Sequence, residues 1–284
     1  MIAVATSIHL ANIASHSKIC GLFRTLARFQ AVTNAIAYIY FKTSYNAIQK
    51  ELTMLIFSMF DGSGYNAFPW AEHDHKVICF NYDDADHGDY QSVRVSHPNI
   101  EYVNAWIDSD FSFKARNEVY GKPDFVAAFP PCTDLAVSGS RHFAAKRERD
   151  PLFQEKAVAT CKIAAEIAEW FNVPYVIENP VSVLSSMWRK PDHIFHPCAY
   201  GGYLPEDDKH PHFPDIIPAR DAYTKKTCFW TNDLFVMPEP RQVAPTGDSN
   251  PGWAKLGGKS ARTKMIRSLT PRGVALAICL ANEK

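Results

Sequence analysis

Two short stretches of this chain carry groups suited to covalent chemistry on a ring: Phe129-Pro130-Pro131-Cys132 and Glu178-Asn179-Pro180. Each closes a short apolar run of the kind that forms a buried strand. One delivers a thiol and the other a carboxylic acid, and neighbouring strand ends would bring them together. A thiol that attacks and an acid that protonates are the two groups needed to activate a pyrimidine ring. Prolines fix the backbone and withhold N–H donors, so Cys132 stands on a stiff corner. A nucleophile there needs positive charge or a helix N-terminus nearby. Glu178 follows Val176 and Ile177, an apolar setting that suits an acid required to hold a proton. A buried structural cysteine and a capping or salt-bridged glutamate are the ordinary fates of these residue types when they occur alone.

Positioning such groups takes a regular framework, and the chain alternates in the required way. Residues 55–60 read as a strand, and Asp61-Gly62-Ser63-Gly64 as a tight turn into a helix over 65–72. Strands are predicted at 77–80, at a segment ending near Ile107-Asp108, at 125–128, at 173–177 and at 227–230. A helix is predicted over 151–171, where Phe153, Ala157, Cys161, Ala164, Ala168 and Phe171 share a face. A closing helix spans 270–282, with Pro271 in its first turn. Alternating strands and helices imply an α/β domain with a largely parallel sheet. Ligands of such sheets sit beyond the carboxyl ends of the strands. Gly62, Asp83, Asp108, Cys132 and Glu178 all follow predicted strands and so could share one rim.

Residues 1–53 differ in character. Ile19, Leu22, Leu26 and Phe29 recur at helical spacing, which predicts a helical extension. An upstream start codon is the alternative, with Met54 a natural beginning. The catalytic domain is expected over 54–284, with a short recognition or insert region at about 188–260. The formal net charge is zero, so no global field draws in a polyanion. Residues 252–272 nevertheless carry Lys255, Lys259, Arg262, Lys264, Arg267 and Arg272 without an acid. Such a stripe suits phosphate contact, or is simply a solvated face. Seven widely spaced cysteines without a CxxC motif point to a reduced, cytoplasmic protein. No apolar run is long enough for a bilayer, and no secretion signal is evident.

The turn Phe60-Asp61-Gly62-Ser63-Gly64 lets backbone N–H groups approach a ligand closely. It matches neither the GxGxxG fingerprint nor a P-loop. With the acids after the next strand it fits a nucleoside-containing cofactor such as S-adenosylmethionine. His193, His196, Cys198, His210 and His212 raise the question of zinc, but their spacing matches no standard site. No metal is expected.

The ordered set Phe60-Asp61-Gly62-Ser63-Gly64, Pro130-Pro131-Cys132 and Glu178-Asn179 resembles the DNA cytosine-5 methyltransferases, most closely their compact phage and prophage members. The likeness covers roughly residues 54–284. It implies a Rossmann-like methyltransferase sheet with helices on both faces, S-adenosylmethionine as methyl donor, and a cytosine flipped out of DNA as substrate. By this resemblance Cys132 attacks carbon 6, Glu178 serves ring nitrogen 3, and Asn179 fixes the loop carrying Glu178. Phe60, Gly62, Gly64 and Pro130 would contact the cofactor, Asp83 or Asp84 its ribose, and Asp108 its adenine. Lys225 and Lys226 occupy the place of a motif in which the family commonly has two arginines. Arg141 and Arg147, with Lys146 and Arg149, fit a mobile loop closing over DNA phosphates, and Lys259 and Arg262 fit a further phosphate contact.

Several residues depart from the family pattern. Ser58 stands where many members have an acid, and Asn81 where a ribose-binding acid is usual. No full target-recognition domain fits before the last helix, so specificity is relaxed or comes from 188–226 and the basic loop. Competing readings are a methyltransferase-fold nucleic-acid-binding protein with little turnover, and pyrimidine methylation on RNA or free nucleotide. An RNA enzyme would usually place a second cysteine near Glu178-Asn179. Adenine or exocyclic-amine enzymes carry Asp/Asn-Pro-Pro-Tyr/Phe instead of Phe-Pro-Pro-Cys. A monomer acting on DNA, without membrane contact, is expected.

Overall fold

The computed structural model describes Tyr38 and residues 53–84, 90–246, 256 and 260–284. The chain divides into two compact units, Met1–Thr53 and Met54–Lys284. The helical extension expected over 1–53 lies outside the described residues, apart from Tyr38 and Thr53.

The second unit is built on a seven-stranded sheet. In chain order its strands are β1 (Leu55–Met59), β2 (Lys76–Asn81), β3 (Ile100–Asn104), β4 (Phe125–Ala128), β5 (Tyr175–Pro180), β6 (His193–Phe195) and β7 (Thr227–Thr231). They lie in the order β3-β2-β1-β4-β5-β7-β6. The first five run parallel. β7 then enters antiparallel between β5 and β6. The order reverses between β1 and β4, and a crevice opens beyond the strand ends at such a switch point.

Strand residues alternate between two buried layers, as the period of two requires. Phe57 and Met59 of β1, Val126 and Ala128 of β4, and Ile177 of β5 face α2 (Ser109–Arg116) and α4 (Phe153–Phe171). Ile56, Phe125, Ala127 and Val176 face α1 (Ala67–Glu72) and α7 (Arg272–Asn282). The expected Rossmann-like sheet with helices on both faces is therefore present. No helix of the described residues is long and apolar enough to cross a membrane.

Several local expectations are corrected. β3 ends at Asn104 rather than near Ile107-Asp108, because Asp108 instead starts α2: its side chain accepts from the N–H groups of Asp110 and Phe111. Such a cap satisfies amides that the first helical turn leaves bare. The strand predicted over 173–177 runs on through Pro180. Pairing with β7, in the register Glu178 to Phe229 and Asn179 to Cys228, carries it further. The arginine-bearing segment after Cys132 is not an open loop. It forms a 3₁₀ turn (Val137–His142) and α3 (Phe143–Arg149), with Lys146 tied to Asp134 at 2.6 Å. Between Pro197 and Tyr223 the insert is packed: Ile217 and Tyr223 share a small core with Met265, Ile266 and Leu269. Three of those belong to α6 (Ala261–Ser268) or the residue after it, a helix the basic stripe did not announce.

Candidate active site

The Cys132 corner is held from several sides. Phe129 N–H donates to the Met59 carbonyl at 3.0 Å, so the chain leaving β4 is still fastened to β1. The carbonyl of Cys132 accepts from the N–H groups of Leu135 and Ala136, which closes a tight turn. Asn179 is fully buried in β5 and its Nδ2 donates to the Pro130 carbonyl at 3.1 Å. The segments that follow are also sewn together: Val137 N–H donates to Val181 at 3.1 Å, and Val183 N–H to Leu135 at 3.0 Å. Cysteine loop and glutamate strand therefore form one hydrogen-bonded unit. Asn179 clamps the loop of Cys132 rather than that of Glu178, which needs no separate anchor because it lies inside a paired strand.

The electrostatics of this corner are mixed. Cys132 is exposed, whereas Cys79, Cys161, Cys198, Cys228 and Cys279 are buried. Burial holds the Cys132 thiol above its ordinary value, and the carboxylate of Glu178 adds to that; Lys225 and Arg267 offset only part of the rise. Glu178 is half-buried, and its Oε1 has no hydrogen-bond partner. Lys225 Nζ approaches that oxygen at 3.9 Å, too far for a good hydrogen bond. A desolvated carboxylate oxygen left open beside a thiol is unusual for a purely structural acid.

Next to this corner a cavity of about 320 Å³ opens at the switch point between β1 and β4. This lies within the size range of small-molecule sites. Phe60, which follows β1, and Pro130 and Pro131, which follow β4, form part of its wall. Tyr82 and Trp106 form another part, with ring centroids 5.1 Å apart at 89°. Asn81 also lines it. Its Nδ2 donates to Asp83 at 2.8 Å, which leaves its amide oxygen as the acceptor it can offer a hydroxyl.

No family model matches the chain. No curated protein matches it either. Solved structures do. An epimerase from Methanothermobacter thermautotrophicus is 17% identical with TM-score 0.32, over 44% of this chain and 34% of its own. A protein described as a DNA modification methyltransferase encoded within a prophage (E. coli) is 11% identical with TM-score 0.38, over 68% of this chain and 53% of its own. A SAM-dependent methyltransferase from Agrobacterium tumefaciens is 11% identical with TM-score 0.31, over 50% and 43%. The chain spans 34% and 37% of the first two solved structures it matches. Likenesses this distant carry no functional argument; the fold rests on the chain's own topology.

The remaining site expectations divide. Phe60 and Pro130 line the cavity, but Asp83 and Asp108 do not. Asp83 is engaged by Arg94 at 2.9 Å, and Asp108 is spent on capping α2. Gly62 and Gly64 shape the turn rather than line the cavity. Gly64 has φ +76°, and a Cβ there would collide with the Tyr102 hydroxyl. Asp61 organises the same turn. Its buried carboxylate accepts from Ser58, Ser63 and the Gly64 N–H, and burial pushes it up. Ser58, in place of an acid, thus serves as donor to the acid three residues on. Sequence reasoning missed Tyr82 and Trp106. The available signal was a large aromatic just past each of two strand ends, Trp106 being 63% exposed.

Of the expected DNA contacts, Lys225 stands beside Glu178, and Lys226 is exposed nearby. Arg141 is exposed, while Arg147 is held by Gln154 at 2.7 Å. Arg262 lies over the Phe213 ring, and Lys259 lies outside the described residues. The histidines and cysteine of 193–212 are not gathered into a ligand set: His210 is buried and takes the N–H groups of His212 and Phe213.

Proposed function

We propose that the chain transfers a methyl group from S-adenosylmethionine to carbon 5 of cytosine in DNA, through a covalent adduct at Cys132. The observation that carries this reading is the hydrogen-bonded corner in which Asn179 joins the loop of Cys132 to the strand of Glu178, beside a nucleoside-sized cavity. When bound, the cofactor supplies an electrophilic methyl group. Tyr82 and Trp106 would hold its adenine, Asn81 its ribose, and Phe60 and Pro130 the end nearest Cys132.

Each residue then has a task on the cytosine. The Cys132 thiolate adds to carbon 6, and the ring's electrons move toward carbon 5 and nitrogen 3. Glu178 holds a proton at nitrogen 3 and so limits the charge that builds there. Carbon 5 takes the methyl group, leaving S-adenosylhomocysteine, and later loses its proton to water, after which the carbon–sulfur bond breaks and Cys132 leaves as thiolate. Lys225 offers a point charge beside Glu178, without the planar fork of an arginine. Lys226 and Arg141 are available to phosphates.

The test is duplex DNA carrying 5-fluorocytosine, which blocks the proton loss and traps the adduct. Incubation with labelled S-adenosylmethionine is expected to give a covalent complex that Cys132→Ser abolishes. Cofactor binding without an adduct on any DNA would favour the binding protein over the enzyme. Adducts on RNA or free nucleotide alone would move the substrate.

A further inference from the structure

Away from the Cys132 corner, two helix ends meet on the sheet face covered by α1 and α7. His73 is the residue that ends α1, and Glu283 the residue that ends α7, with Cys279 in the last turn before it. A ring nitrogen of His73, the Cys279 sulfur and a Glu283 oxygen all lie within 4.8 Å of one another. Among the described residues this is the one group of three or more His, Cys, Asp or Glu side chains so gathered. His73 Nδ1 is 2.7 Å from Glu283 Oε2. A tetrahedral zinc ion asks for ligand atoms about 3.5 Å apart, given bonds of about 2.0–2.3 Å. The present spacings, from 2.7 Å up to 4.8 Å, bracket that value.

A second observation points at the same carboxylate. His75 is only 5% exposed. Its Nδ1 accepts the Met54 N–H at 3.2 Å, so the hydrogen of the neutral ring sits on Nε2. That N–H has no hydrogen-bond partner, and Glu283 Oε2 lies just out of reach at 3.6 Å. His75 cannot itself be a metal ligand in this tautomer. It is placed to donate to a carboxylate that is, and ligating carboxylates ordinarily have such a donor behind them.

We infer that His73, Cys279 and Glu283 form a zinc site, with His75 as the positioning residue that orients Glu283. Thiolate, imidazole and carboxylate together suit zinc, and three protein ligands leave a fourth position for water. On binding, zinc forms a bond to the Cys279 sulfur and the thiol proton leaves to solvent. Burial holds that proton tightly in the metal-free protein, and Glu283 adds to the hold. The ion has a way in, since the His73 and Glu283 side chains are 36% and 28% exposed, and His73 borders a cavity of about 620 Å³. The ion would staple the end of α1 to the end of α7. This is independent of the reaction proposed at Cys132.

The test uses the full chain, free of affinity tag and stripped of metal, titrated with cobalt(II) as a spectroscopic probe. One equivalent is expected to give tetrahedral visible bands and a thiolate charge-transfer band, both bleached by zinc. Cys279→Ser should lose the charge-transfer band, and Cys132→Ser should keep it. His73→Ala, at a partly exposed position that should fold normally, should weaken cobalt binding at least tenfold and remove any rise in Tm with zinc. His75→Gln should lower affinity roughly 10–100-fold. Octahedral cobalt spectra, a charge-transfer band surviving Cys279→Ser, or unchanged binding by His73→Ala would each overturn the inference.

Discussion

Asn179→Ala tests the corner at its fastening point. Asn179 is fully buried, and Nδ2 gives the Pro130 carbonyl its donor at 3.1 Å. Losing that bond costs about 1 kcal/mol net, and a carbonyl left without a donor adds about 1–3 kcal/mol. Asn179 Oδ1 already lacks a partner, so removing it returns part of this penalty. A net loss of about 1–2 kcal/mol follows, or about 2–8 °C in Tm for a domain of this size. The effect on chemistry should be larger. The Cys132 loop loses its tie to the Glu178 strand, and misplacing a reacting group by about 1 Å can cost about 100-fold. The assay pairs calorimetry with the rate of adduct formation on 5-fluorocytosine DNA, with DNA affinity measured separately. Asn179→Asp keeps the shape but faces the Pro130 carbonyl with an oxygen, so it should lose at least as much rate. If Asn179→Ala melts within about 1 °C of the parent and forms adduct at the same rate, the clamp has no catalytic role.

Gly64→Ala should destabilise the turn after β1. Its φ of +76° alone costs an alanine about 1–2 kcal/mol, before the collision with the Tyr102 hydroxyl; an unchanged urea midpoint would contradict this. Tyr82→Ala and Trp106→Ala should each raise the S-adenosylmethionine Kd about tenfold, the value of one well-placed aromatic contact plus its burial. Calorimetric titration reads this directly, and unaltered Kd values would put the adenine elsewhere. Asp221→Asn addresses pH. Burial lifts the Asp221 carboxyl from its ordinary 3.8 to about 6, so the native state holds the proton more tightly than the unfolded chain. Its contribution to stability is complete below pH about 4 and is lost as pH rises to about 6. Asp221→Asn can still accept the Gly273 N–H and should be the more stable protein at pH 7, with that slope gone. Equal slopes in urea melts at pH 4, 5 and 7 would refute it.

The framework was legible because its strands are continuous apolar runs. Residues 55–60, 77–80, 125–128 and 227–230 each lie within a residue or two of an observed strand. β3 was misplaced because Ile100–Asn104 is only partly buried and has no such run. The length of β5 is set by its antiparallel partner, and that pairing has no local signature at Glu178 or Asn179. The short β6 was hidden in a stretch of proline, histidine and aromatic residues. Residue types sufficed to choose Cys132 and Glu178. They could not show that Asp83 would be taken by Arg94, which comes from a separate segment; Asp108, by contrast, caps α2 through amides two and three residues on, a local signal that was there to be read. Asn81, Tyr82 and Trp106 acquire meaning only when β2 and β3 are side by side.

The antiparallel placement of β7 has a consequence for how such a protein can change. Phe195 of β6 and Thr227 of β7 are direct partners in the sheet, so residues 196–226 leave and return at adjacent points, about 5 Å apart. Closing a longer excursion between the same two points costs only about 0.6 kcal/mol for each doubling of its length. Yet the strand that receives the chain back also pairs with Glu178 and follows directly after Lys225 and Lys226. Loop closure alone therefore sets little limit on the segment's length, and what holds it is its packing against Met265, Ile266 and Leu269, while its return is registered to the strand that carries Glu178.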